Sequence, residues 1–129
     1  MRISSKYLLT SLAAFVFVQG LGTSFFGGEI LVIFSVPQDS LSILIVQMLG
    51  ALQLGWGMLN YMCRNNKYGG IFGRPLLLAN LAVLVVSGMA ILRVLMRVPV
   101  GPFYTLLLLA ASYWSFALLI FKVIRNEQN

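Results

Sequence analysis

Glu29 and Asp39 are the two residues whose type suits general acid–base chemistry, which needs one carboxyl group kept protonated while its neighbour is ionised. Nothing in the nine residues between them sets their separation. Asp39 also has a second use, because Pro37-Gln38-Asp39-Ser40 reads as a helix start with Asp39 or Ser40 as the N-cap. The third acid, Glu127, lies in a short polar tail. Cys63 stands next to Arg64, a neighbour that lowers a thiol pKa, and it equally suits a small residue closing a helix. As the only cysteine it excludes an intrachain disulfide and a cysteine-built metal site. The absence of histidine removes imidazole-ligated haem, most zinc chemistry and Ser-His or Cys-His nucleophiles. No catalytic residue and no cofactor is therefore expected. A transport role would ask for a carboxylate at mid-membrane depth. Glu29, at the far end of the first apolar run among glycines, is not placed there.

The other polar residues are amides and arginines set inside apolar runs. On a helix turning 100° per residue, Ser42, Val46, Gly50, Gln53, Gly57 and Asn60 share an arc of roughly 80°. Amides in hydrocarbon need partners, so this stripe must face protein. Asn60 precedes the central loop by one turn and Asn80 follows its end by about one and a half, so the two are expected at similar depth and to hydrogen-bond. Arg93 and Arg97, one turn apart, either snorkel to headgroups or pair with Glu29 or Asp39. Gln19, Ser87, Ser112 and Ser115 add polar groups near mid-membrane. Gln53, Trp56, Asn60, Asn80, Tyr113 and Trp114 are the candidate contacts for a small hydrophobic ligand in a bundle interior. Small residues four apart mark close helix approaches at Gly20, Ser24 and Gly28, and again at Ala51 and Gly55 on a different face, a candidate subunit contact.

The elements that must carry these residues follow from composition. The 129 residues are 60% hydrophobic and 9% charged, with a mean hydropathy of +0.93. Soluble domains carry roughly 25% charged residues, and apolar runs of about 18 or more mark bilayer spans. Four such runs are expected at 7–27, 41–62, 75–96 and 103–122, making an all-α, four-helix transmembrane bundle in a single membrane domain, 1–129. The first run also has the basic lead and small-residue end of a cleavable signal peptide; its renewed apolar character at Phe25 and Phe26 favours a retained span. Ile30 to Val36 is too short to span and suits a strand, an interfacial helix or a buried loop. Between the second and third runs, Arg64 to Gly70 reads as a polar loop, and Pro75 as the start of the third span. Pro99-Val100-Gly101-Pro102 reads as a tight turn.

Charge sets the orientation. The pI near 10.0 could indicate nucleic acid, but the cations stand at the ends of apolar runs and not on a water-facing patch, so no nucleic-acid partner is expected. Seven of the nine, Arg2, Lys6, Arg64, Lys67, Arg74, Lys122 and Arg125, fall on one side. The positive-inside rule then places both termini and the central loop in the cytoplasm, and Glu29 and Asp39 outside.

The run Gly69-Gly70-Ile71-Phe72-Gly73-Arg74-Pro75, followed by Asn80, resembles a group of small uncharacterised bacterial four-span membrane proteins with a Gly-Gly-Ile-aromatic-Gly-Arg-Pro loop between spans two and three. The resemblance covers about Gly50 to Leu81. The four-span plan as a whole is similar to the broader DoxX-like set of small membrane proteins, by architecture only. Together these likenesses imply a bacterial inner membrane and supply no catalytic residues. The sequence reads as a non-enzymatic integral membrane protein, an accessory or assembly subunit of a larger membrane complex or a homo-oligomer. The alternative is a binder or carrier of a lipid or quinone. In either case the lipid bilayer is the surrounding partner.

Overall fold

The computed structural model describes residues 5–65, 73–97 and 102–126. Among them the fold is all-α: α1 (Ser5–Phe25), α2 (Gly27–Ile33), α3 (Ser40–Met62) with a 3-10 turn after it (Cys63–Asn65), α4 (Gly73–Arg97) and α5 (Phe103–Asn126). Four of these helices are long and apolar enough to cross a bilayer. Most of the Arg64–Gly70 loop, Ile71 and Phe72 of the Gly-rich motif, residues 99–101 of the expected turn, and Glu127 lie outside the described residues.

The ends differ from the sequence expectation in ways that backbone hydrogen bonding explains. The first long helix stops at Phe25, but its ladder does not: the Phe26 N–H bonds Gly22 O at 2.9 Å and the Ile30 N–H bonds Phe26 O at 3.0 Å. One non-helical residue, Phe26 at φ −113°, thus separates α1 from α2. The stretch left open at Ile30 to Val36 is helical to Ile33 and ends in a Schellman turn. Val36 N–H bonds Leu31 O and Ser35 N–H bonds Val32 O, both at 2.9 Å, with Ser35 in the left-handed region at φ 55°. Helix α4 starts at Gly73, two residues before Pro75. Proline is tolerated there because the first-turn N–H groups have no intrahelical partner. Helix α5 continues to Asn126, four residues past the expected end of the run at 122.

Asp39 caps α3 as the sequence indicates. Its carboxylate accepts from the Ser42 N–H at 3.3 Å and from the Ser42 hydroxyl. That hydroxyl is the main reason the Asp39 carboxyl is held below its ordinary 3.8. A lowered folded-state pKa contributes stability that is complete above the unfolded value and lost as pH falls through the folded one. Fraying of the first turn of α3, followed by amide exchange at Ser42, is expected to increase below pH 3.8. Asp39→Asn, which caps without titrating, is expected to abolish the pH dependence. A response unchanged by that substitution would assign it elsewhere.

The chain divides into two compact units, one spanning Leu9–Arg64 and the other holding α4 and α5. In the first, α1 and α3 approach at glycines. A Cβ on Gly57 would lie 3.2 Å from both Ala13 O and Phe17 N, and one on Gly20 would lie 2.9 Å from Leu54 N and 3.0 Å from Gly50 O. The partners run Ala13 to Gly20 along α1 and Gly57 to Gly50 along α3, so the helices are antiparallel. In the second unit, α5 buries Leu106, Ala110, Tyr113, Ala117, Ile120 and Val123, spaced at three and four. Leu77, Asn80, Leu84 and Gly88 are buried on α4. Gly88 faces Trp114: a Cβ there would lie 2.9 Å from its Nε1.

Candidate functional site

The buried residues of α3 are Gly50, Gln53, Gly57 and Asn60, four members of the stripe that the helical period defines. Within the first unit the structure gives this stripe a polar partner on α1. The Thr23 hydroxyl lies 3.0 Å from Gln53 Oε1, 3.0 Å from Gln19 O and 3.2 Å from Gly20 O. One hydroxyl proton cannot serve three acceptors at once, so Thr23 always keeps an alternative on its own helix, whereas Gln53 depends on Thr23. Thr23→Val, which strands the Gln53 amide, is therefore expected to destabilise more than Gln53→Leu. A double-mutant cycle of the two in detergent should show a coupling of roughly 0.6–1.7 kcal/mol, the range of interhelical hydrogen bonds in lipid. Strict additivity would mean the side chains do not bond.

Asn60 is completely buried, and its Nδ2 donates to Trp56 O at 2.9 Å. The amide so returns to its own helix one turn back. Trp56 is half-buried. Gln53, Trp56 and Asn60 thus share the first unit. Asn80, also completely buried, lies on α4 of the second unit with Tyr113 and Trp114 on α5. Tyr113 is buried, whereas Trp114 is half-buried and its Nε1 has no hydrogen-bond partner among the described residues. Ser112 and Ser115 donate to Leu108 O and Ala111 O at 2.8 and 2.7 Å, which satisfies both within α5. Of the charged candidates, Glu29 is exposed in the first turn of α2, Asp39 is the α3 cap and Arg93 is exposed on α4. The Arg97 side chain lies outside the described residues. Among the described residues no group of three or more His, Cys, Asp or Glu side chains is arranged to hold a metal ion.

Two features were not among the arrangements expected from the sequence. The first is an apolar cleft of about 500 Å3 in the Leu9–Arg64 unit, lined by Thr10, Ala13, Ala14, Phe17 and Val18 of α1 and by Gly57, Met58 and Tyr61 of α3. Its small lining residues are the two alanines of α1 and Gly57, which packs against the α1 backbone. The second is the end of α3, where the Arg64 guanidinium carbon lies 3.6 Å from the centroid of the Tyr61 ring and Nη1 donates to Tyr61 O at 2.7 Å. The i, i+3 spacing of Tyr61 and Arg64 was the available signal for this second feature.

No protein-family model matches the chain, and searches among curated proteins and among solved structures find no match.

Proposed function

We propose that the chain is an integral, multi-pass protein of a bacterial inner membrane, with both termini cytoplasmic and no catalytic role. It serves as an accessory or assembly subunit, or as a homodimer, through an outward helix face. The observation that carries this reading is the face of α3 opposite its buried stripe. Ala51 and Gly55 are both exposed there, and a Cβ on Gly55 would meet nothing within 4 Å. A small-residue pair open to a neighbour is the surface that lets a second helix come close in lipid. The Gln53 oxygen that accepts from the Thr23 hydroxyl supports the same reading, since that bond ties α3 to α1. The Gly69–Pro75 resemblance supports the bacterial inner membrane, and the cation asymmetry supports the orientation.

Disulfide trapping in native membranes tests it. With Cys63→Ser as background, Ala51→Cys and Gly55→Cys are each expected to give a cross-linked species several times more abundant than Leu52→Cys, an exposed position on another flank of the helix. A doubled mass identifies a homodimer and any other added mass a foreign subunit. No product at either position would defeat the reading.

A further inference from the structure

We propose that the cleft between α1 and α3 seats one acyl chain of an anionic phospholipid whose phosphate is held by Arg64. The shape suits an extended chain. From Thr10 to Val18 the lining runs about 12 Å along α1 at 1.5 Å per residue, an elongated apolar trough of about 500 Å3. Its wall is apolar from Val18 to Ala14, and its floor is closed where Gly57 meets the α1 backbone, with the Cβ position 3.2 Å from Ala13 O. An occupant therefore lies along the helices and does not pass between them.

Charge selects the headgroup. Tyr61 lines the cleft at the end of α3, and Arg64 lies over the Tyr61 ring, tied back to the Tyr61 carbonyl. The cation is thereby fixed beside Tyr61, just past the end of α3. One of its five N–H donors is used on that carbonyl among the described residues. The others have no acceptor among the described residues, and a guanidinium fork matches a phosphate through paired charge-assisted hydrogen bonds. An apolar trough with an arginine positioned beside its Tyr61 end is complementary to a chain that carries a phosphate at its end.

This seat rests on the chain being embedded in a bilayer, so lipid binding is measured only on protein that resists carbonate extraction from membranes; failed insertion and failed lipid binding are then separate results. Purified protein in maltoside detergent is titrated with dioleoyl phosphatidylglycerol or dioleoyl phosphatidylcholine, and bound lipid is read by native mass spectrometry. The wild type is expected to bind one phosphatidylglycerol about fivefold more tightly than phosphatidylcholine, the factor expected of one arginine at an anionic headgroup. Arg64→Gln should equalise the two lipids while leaving phosphatidylcholine binding unchanged. Ala14→Phe, which fills the cleft, should weaken both lipids severalfold. Equal affinities in the wild type, a preference that survives Arg64→Gln, or undiminished binding to Ala14→Phe would each overturn the proposal. So would a dimer mass that excludes lipid, which would mean that a second copy of the chain occupies the cleft. Arg64→Gln changes a side chain beyond the end of α3, so the test does not depend on Ala14→Phe folding.

Discussion

Gly50→Leu is expected to separate α1 from α3 and to lower the thermal stability of the protein in detergent by more than any other single glycine substitution in the Leu9–Arg64 unit. Any Cβ at position 50 meets the Ser24 hydroxyl, lies 2.5 Å from the Ser24 backbone nitrogen and 2.7 Å from the Thr23 hydroxyl. A side chain in the way can rotate, but a helical backbone cannot, so the whole of α1 has to move. Even Gly50→Ala sets a helix-propensity gain of about 1 kcal/mol against overpacking of about 1–3 kcal/mol, and the overpacking wins. Displacing α1 also breaks the Thr23–Gln53 hydrogen bond, which adds a loss of roughly 0.6–1.7 kcal/mol. Leucine has no rotamer that avoids these atoms, because the clash begins at Cβ.

Within the same series Gly57→Ala should be milder. Its nearest atoms stand at 3.2 Å, a gap that a few tenths of an ångström would relieve. Gly22→Ala meets nothing within 4 Å and should raise the melting temperature slightly, by the propensity gain of about 0.5–1 kcal/mol. The ordering Gly22, Gly57, Gly50, from gain to large loss, is the measurable result. A Gly50→Leu protein that melts with the wild type would show that α1 and α3 do not pack at this glycine.

That ordering also shows which parts of the molecule were legible in the sequence. The stripe on α3 was, because burial on a helix repeats at 100° and a run of 23 residues leaves no other phase for Gly50, Gln53, Gly57 and Asn60. The spacing of four on α1 located Gly20 and Ser24 on the contact face, but it failed at Gly28. The chain leaves the helix at Phe26 and re-enters it at Gly27, so the angular register of α1 does not continue, and Gly28 instead receives the Gln38 side chain on its carbonyl at 2.8 Å. Thr23 as the partner of Gln53 was not legible, since thirty residues separate them and only the crossing of two helices joins them. The cleft was illegible for a related reason. It is made by residues that are small on both helices at one level, which no single-helix periodicity records.

In the second unit the expected result is rescue. Gly88→Ala should destabilise the α4–α5 pair, and Trp114→Phe should restore most of the loss. A Cβ on Gly88 would lie 2.9 Å from Trp114 Nε1 and 3.2 Å from Cδ1, so the obstacle is a ring and not a backbone, and a smaller ring removes it. The same substitution removes the indole N–H, which is buried without a hydrogen-bond partner among the described residues. Leaving a donor unsatisfied costs about 1–3 kcal/mol, comparable to the packing that the larger indole contributes, so Trp114→Phe alone is expected to be close to neutral. The double mutant should then be more stable than Gly88→Ala by about the overpacking penalty of 1–3 kcal/mol. No comparable rescue exists for Gly50, where the clash includes main-chain atoms. If instead Trp114→Phe is strongly destabilising by itself, the packing of the indole against Gly88 outweighs its unsatisfied N–H, and the rescue fails.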